Sequence, residues 1–366
     1  MSLKTSNLMI ATFLLLCFAA ASPAEERGWE AKWKELLAAA QKEGRVVVTG
    51  SPTPAVRRDL PAAFKKRFGI TLEYLGGRAE IVERLRMERR AGFTTIDVFF
   101  SGVTTFVDIL YPEKMLDPVK PALLLPEVTD PSKWKKGKLW FMDPDDKYVL
   151  RLYNYVSAGG LAINTQVIKP GEIKSLRDLL DPKWKGKISA FDPRGRGPGS
   201  TEVIMFSRQF GEDFVRRLWV GQELVLSRDG RQLADWLARG TYPVSFARLS
   251  DVKDMKDQGF PVDVLALPDA PEALGVGNGL VGLINQSPHP NAARVFLNWI
   301  ASREGLEILG RARGRPTTRN DIDESYAPPW EIPRPGVDYF DTVDWDFNVK
   351  EFPKVNELIK RILASR

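Results

Sequence analysis

The chain has one cysteine, Cys17, and one histidine, His289, among its 366 residues. Ser–His and Cys–His nucleophilic arrangements, and zinc sites built from His or Cys ligands, therefore have almost nothing to draw on. Cys17 lies in an apolar N-terminal leader, so no disulfide framework is available either. His289 stands in Ser287-Pro288-His289-Pro290-Asn291, which is turn chemistry leading into a helix. Beyond the leader no apolar run is long enough to cross a bilayer. Low-complexity tracts are missing as well. Basic and acidic residues, 53 against 47, are interspersed and leave a formal net charge of +6. That balance supplies no basic block for nucleic acid, which is not a partner, but it favours acidic ligands. Acids are plentiful enough for a carboxylate pair, yet no spacing singles one out.

What is present begins with an address. Residues 8–21 are an almost unbroken apolar run, preceded by a single charged side chain, Lys4. Ala19-x-Ala21 and Ser22-x-Ala24 follow as cleavage sites. This is the pattern of a secretory signal peptide, too short and too weakly flanked for a membrane span. We expect residues 1–24 to be removed and the mature chain to be periplasmic. Its length suggests two domains.

Residues 46–49, 70–75 and 96–100 read as buried strands. Between them lie a helix with Leu60, Phe64 and Phe68 on one face, stopped by Gly69, and a charged helix over residues 79–91, stopped by Gly92. Alternation of this kind argues for a parallel, doubly wound α/β sheet. Ligands of such sheets sit outside the carboxyl ends of the strands. Here those ends carry Ser51 and Thr53, then Arg78 after Gly76-Gly77, then Ser101 and Gly102.

Residues 148–164, extended, apolar and containing Tyr155, read as a crossing into a second β/α set. In that set a strand over residues 188–191 runs into Asp192-Pro193-Arg194-Gly195-Arg196-Gly197-Pro198-Gly199-Ser200-Thr201, with a helix expected from Ser200 or Thr201. A glycine-rich loop opening a helix exposes N–H donors and partial positive charge, so Gly199, Ser200 and Thr201 form a candidate anion seat. Glu202 in the same first turn suits the helix dipole and, pointing inward, would repel an anion. Arg248 follows a strand over residues 243–246, and an Arg fork there or at Arg78 can clamp a carboxylate or phosphate. Arg228 and Arg231 precede a helix and are candidates of the same kind. Gly277-x-Gly279-x-x-Gly282 matches the dinucleotide fingerprint only formally, because it enters a strand. We read it, with Asn278 inside it, as a return crossing where backbones approach closely.

Four stretches carry a family resemblance: the strand over residues 46–49 with its polar loop; Ile96-Asp97-Val98-Phe99; Leu179-Leu180-Asp181-Pro182-Lys183-Trp184-Lys185-Gly186-Lys187-Ile188; and Pro288-His289-Pro290-Asn291-Ala292-Ala293 with Phe296-Leu297-Asn298-Trp299. Over nearly the whole mature length the chain resembles type 2 periplasmic solute-binding proteins of ABC importers. The likeness is strongest to the branch that includes ferric-iron, thiamine, putrescine and sugar-phosphate binders. The resemblance implies two α/β lobes, each a β-sheet flanked by helices, joined by two crossing strands as hinge. It places the first lobe at residues 25–155, the second at 156–272, and a return to the first with a C-terminal helix at 273–366. It implies a monomeric receptor that is not an enzyme, has no cofactor, and hands its ligand to an inner-membrane ABC permease. In ferric relatives an adjacent tyrosine pair ligates iron after the second-lobe strand. The corresponding Ser245-Phe246-Ala247-Arg248-Leu249 lacks it, which argues for an anionic ligand: an organic carboxylate, a phosphate-bearing molecule or an oxyanion complex. The expected contacts are Ser51, Thr53, Arg78, Ser101, Gly102, Tyr155, Gly199, Ser200, Thr201, Arg248 and Asn278. A ferric-complex binder and an exported carboxylate-based hydrolase are the alternatives.

Overall fold

A computed structural model describes residues 23–364 except Arg78 and Gly159. Residues 1–22 of the expected signal peptide lie outside the described residues. No helix among those described is long and apolar enough to cross a membrane.

Two sheets organise the molecule. In the first lobe, Arg45–Gly50 lies between Thr71–Gly76 and Val98–Ser101, parallel to both, as the strand–helix alternation requires. Leu280–Ile284 then adds antiparallel to Val98–Ser101, bringing the late chain back into the early sheet. The intervening helices, Pro54–Phe68 and Ala79–Arg90, end near the glycines that announced them, and Gly69 takes the left-handed conformation expected of a helix stop. Helix Pro290–Ala301 buries Phe296 and Trp299 against Phe64 in the first core.

In the second lobe the strand order is Val262–Leu265, Leu161–Asn164, Val244–Phe246, Ile188–Phe191, Val225–Ser227. Phe206, Trp219 and Phe246 form its aromatic centre. Asp130-Pro131 and Asp181-Pro182 open similar turns: Asp130 and Asp181 each accept a bond from the amide two residues on, and Trp134 and Trp184 behind them are buried.

The crossing strands are Tyr155–Ala158 and Glu272–Gly275, paired antiparallel. A third strand from the tail, Phe340–Asp341, joins them in parallel. Its Asp341 is tied at 2.8 Å to the buried Arg151, which precedes the crossing. The glycine crossing is a close approach: a Cβ at Gly279 would fall 2.2 Å from the Tyr153 ring. One grouping differs from the sequence reading. The last helix, Phe352–Leu363, packs Leu358, Ile359 and Ile362 into the second-lobe core rather than staying with the first.

Candidate ligand-binding site

A cleft of about 880 Å³ opens between the lobes over the hinge. That volume is within the range that holds small solutes.

The first-lobe wall is made of hydroxyls around one guanidinium. Thr49, Ser51 and Thr53 come from the carboxyl end of Arg45–Gly50 and the loop after it. Ser51 Oγ and Thr53 Oγ1 lie 3.2 Å apart, and Arg313 Nη1 donates to both, at 3.0 Å to Ser51. The Tyr74 hydroxyl donates to the Ser51 carbonyl at 3.0 Å, and burial pushes its pKa up to about 12, so it remains a donor. Thr49 is 1% exposed and lines the cleft, yet its hydroxyl has no hydrogen-bond partner. Arg313 has no acidic partner among the described residues. Ser101 also lines the cleft, and its hydroxyl donates to Thr105 at 2.7 Å.

Arg313 owes its position to a helix stop. Helix Arg303–Arg313 ends at Gly314, in the left-handed conformation, and the Arg315 amide bonds back to the Gly310 carbonyl. That turn sends the two arginines flanking Gly314 into the cleft. The negative end of a helix favours the first of them. Arg315 lies over the Tyr155 ring, 4.2 Å from its centroid, and pairs with the buried Glu331 at 2.5 Å. Burial pulls the Arg315 pKa down, but the Tyr155 and Glu331 charges outweigh it. For Glu331 burial wins over Arg315, and its pKa is raised. Its second oxygen has no partner.

The second-lobe wall is different. Helix Pro198–Phe210 starts earlier than the sequence reading placed it, because Pro198 fits a first helical position. Ser200 is fully buried, and its hydroxyl exchanges hydrogen bonds with the Gly197 amide and carbonyl. Thr201 also donates to the Gly197 carbonyl. Both line the cleft, with their side-chain donors already engaged. A Cβ at Gly199 would meet the Phe191 carbonyl at 2.4 Å, so glycine is required there for packing. Arg248 lines the cleft from the start of Leu249–Asp257, stacked on Phe191 and 3.8 Å from the Asp251 carboxylate. Arg196 spans the lobes: it donates to Asp108 in the first lobe at 3.1 Å and to Asn348 in the tail at 2.9 Å, and lies over Phe352.

Glu202 completes this wall. It lines the cleft, one carboxyl oxygen is shut off from water without a hydrogen-bond partner, and burial raises its pKa well above the usual value.

Of the expected contacts, Ser51, Ser101, Tyr155, Ser200, Thr201, Arg248 and Asn278 line the cleft. Thr53 stands behind them holding Arg313. Gly102 packs close to the Gly277 carbonyl, and Gly199 backs onto the strand end. Arg78 lies outside the described residues. Arg228 and Arg231 do not line the cleft; Arg228 pairs with Asp192 at 3.3 Å. His289 is on the opposite edge of the first-lobe sheet. There, with Ser287 and the Val47 amide, it serves the buried Asp97 carboxylate. Sequence reasoning passed over Thr49, Arg313, Arg315 and Glu331. The one available signal was an Arg-Gly-Arg-Pro run at a helix end.

A family model described as bacterial extracellular solute-binding protein matches residues 49–307. A Haemophilus influenzae relative, named only as an uncharacterized protein, is 24% identical over 281 residues, covering 74% of this chain and 76% of the relative. Two solved structures share the fold. The periplasmic binding protein AfuA from Actinobacillus pleuropneumoniae, with exogenous fructose-6-phosphate bound, superposes with a TM-score of 0.61 at 21% identity, over 88% of this chain and 98% of that one. Ferric iron-binding protein A from Mannheimia haemolytica, in an open conformation, gives 0.64 at 12% identity, over 88% and 99%. The chain belongs to the bacterial extracellular solute-binding protein family, with the two-lobed type 2 fold of receptors that serve ABC importers.

Proposed function

We propose that the protein is a periplasmic receptor that binds a small anionic solute between its lobes and delivers it, as a monomer, to an inner-membrane ABC permease. The observation that carries this reading is Arg313. Its guanidinium faces a cleft, has no acidic partner among the described residues, and is held by Ser51 and Thr53 beside the unpartnered Thr49 hydroxyl. A cation kept in place by neutral acceptors is arranged for an incoming oxyanion, which accepts from Arg and hydroxyls together. Organic carboxylates and phosphate-bearing solutes have this chemistry, and the sugar phosphate in AfuA is one instance. The stretch Ser245-Phe246-Ala247-Arg248-Leu249, which corresponds to the iron-ligating region of ferric relatives, lacks their tyrosine pair, which weighs against direct iron ligation by that route.

Isothermal titration of the exported chain with carboxylates, phosphonates, sugar phosphates and ferric–citrate tests the proposal. Binding of at least one oxyanion class is expected, weakened in Arg313→Ala. Binding only of neutral or purely cationic compounds would refute it.

A further inference from the structure

Among the described residues six charged side chains line the cleft: Arg196, Arg248, Arg313, Arg315, Glu202 and Glu331. Arg196 is matched by Asp108, Arg248 by Asp251, and Arg315 by Glu331. Two remain without an opposite charge among the described residues: Arg313 on the first-lobe wall and Glu202 on the second. Resting on the anion-receptor reading above, we propose that the ligand is a zwitterion, its oxyanion held by Arg313 with Ser51 and Thr53 and its ammonium held by the Glu202 carboxylate.

Charge balance in the confined cleft favours a ligand carrying both signs. A purely anionic ligand satisfies Arg313 but leaves Glu202 with no cation and one oxygen shut off from water, which favours its neutral form. A purely cationic ligand satisfies Glu202 and is repelled by Arg313. One small molecule carrying both charges answers both groups, and its ammonium restores the ionised form of Glu202 that burial suppresses. The doubt raised by an acid beside an anion seat becomes a selection rule, because Glu202 rejects the anion that lacks the amine. The cleft, at about 880 Å³, has room for a short chain between two charged ends. The aminoalkylphosphonates and short ω-amino acids are the chemical classes that fit.

The test is isothermal titration of the full chain with matched pairs, a short aminoalkylphosphonate against the alkylphosphonate of equal length and an ω-amino acid against its des-amino carboxylate. Wild type should bind the amino member of a pair about tenfold tighter or more, the size of one charge-assisted hydrogen bond. Glu202→Gln should erase that preference and bind the des-amino member at least as tightly as wild type does, with thermal unfolding checking that the variant is folded. Equal affinity of wild type for both members overturns the inference and leaves the anion reading standing. A preference that persists in Glu202→Gln overturns it as well, since the ammonium is then held elsewhere. If neither member of any pair binds wild type, while cations or neutral solutes do, the anion reading falls and the inference with it. If Glu202→Gln fails to fold, equal wild-type affinity for both members still overturns the inference, and Glu202→Asp takes its place in testing whether the preference depends on this carboxylate.

Discussion

The two walls of the cleft carry similar residue types and leave them in opposite states. On the second-lobe wall the arginines are matched: Arg248 has Asp251 and the Phe191 ring, and Arg196 has Asp108, Asn348 and Phe352. The hydroxyls there are turned back onto Gly197. On the first-lobe wall Arg315 is matched by Glu331, but its neighbour Arg313 has only hydroxyl partners, and the Thr49 hydroxyl has no partner at all. A matched arginine contributes little when an anion arrives, because its field is already compensated. An unmatched one held by neutral groups contributes its whole charge. The residue types alone pointed to both lobes; their pairing points to the first.

The largest test of that contrast sets Arg313 against Arg248. Arg313→Ala should cost about 1.5–3 kcal/mol of oxyanion affinity, the usual worth of a hydrogen bond to a charged group. Arg248→Ala removes an exposed, already paired cation and should cost about 0.5–1 kcal/mol. Isothermal titration of the two variants with one ligand decides the ranking. Equal losses, or the reverse order, would return the anion to the second lobe.

The contrast also marks where the sequence was readable. Strands and helices were legible because each is an apolar run with period 2 or 3.6 between glycine stops, as at Gly69 and Gly92. The hinge was legible because Gly279 and Gly282 sit where no side chain fits. Ser51, Thr53 and Ser101 were legible because carboxyl ends of parallel strands point at one edge. Arg313 was not, since nothing local says that a helix ending some 260 residues later meets Ser51. Ser200 and Thr201 were correctly placed at the cleft, but whether a hydroxyl caps its own helix or faces a ligand depends on rotamers that spacing does not encode. The docking of Phe352–Leu363 on the second core was equally invisible, because an amphipathic stripe does not name its partner.

A second test uses pH on the ligand-free protein, where the orphan acid of the second-lobe wall should show itself. Burial raises the folded-state pKa of Glu202 above the ordinary value of 4.5. Below that value the carboxyl is protonated in both folded and unfolded chains and no stability is lost. As pH rises, the unfolded chain ionises freely while the folded chain is held neutral, and stability falls until the folded pKa is passed. Glu202→Gln lacks this term. Apart from a constant offset for the amide, its advantage in thermal unfolding should therefore grow as the pH rises from the ordinary carboxyl range toward neutrality. A difference that does not change with pH would mean that Glu202 is solvated, and would remove the asymmetry between the walls.

The smallest effect asked for is the sharpest about the first-lobe wall. Thr49 is almost fully buried with its hydroxyl unpartnered, so it is either a plain packing residue or a donor waiting for a ligand. Thr49→Val keeps the shape and removes only the hydroxyl. Nothing in the ligand-free protein depends on that group, and removing an unsatisfied polar atom is neutral or slightly stabilising. The melting temperature without ligand should hold or rise. Oxyanion affinity should fall by about 0.5–1.5 kcal/mol, the worth of one neutral hydrogen bond. Stability held with affinity lost is a combination that a packing role does not produce. Loss of both would make Thr49 a core residue, and would shrink the first-lobe wall to Arg313 and the two hydroxyls that hold it.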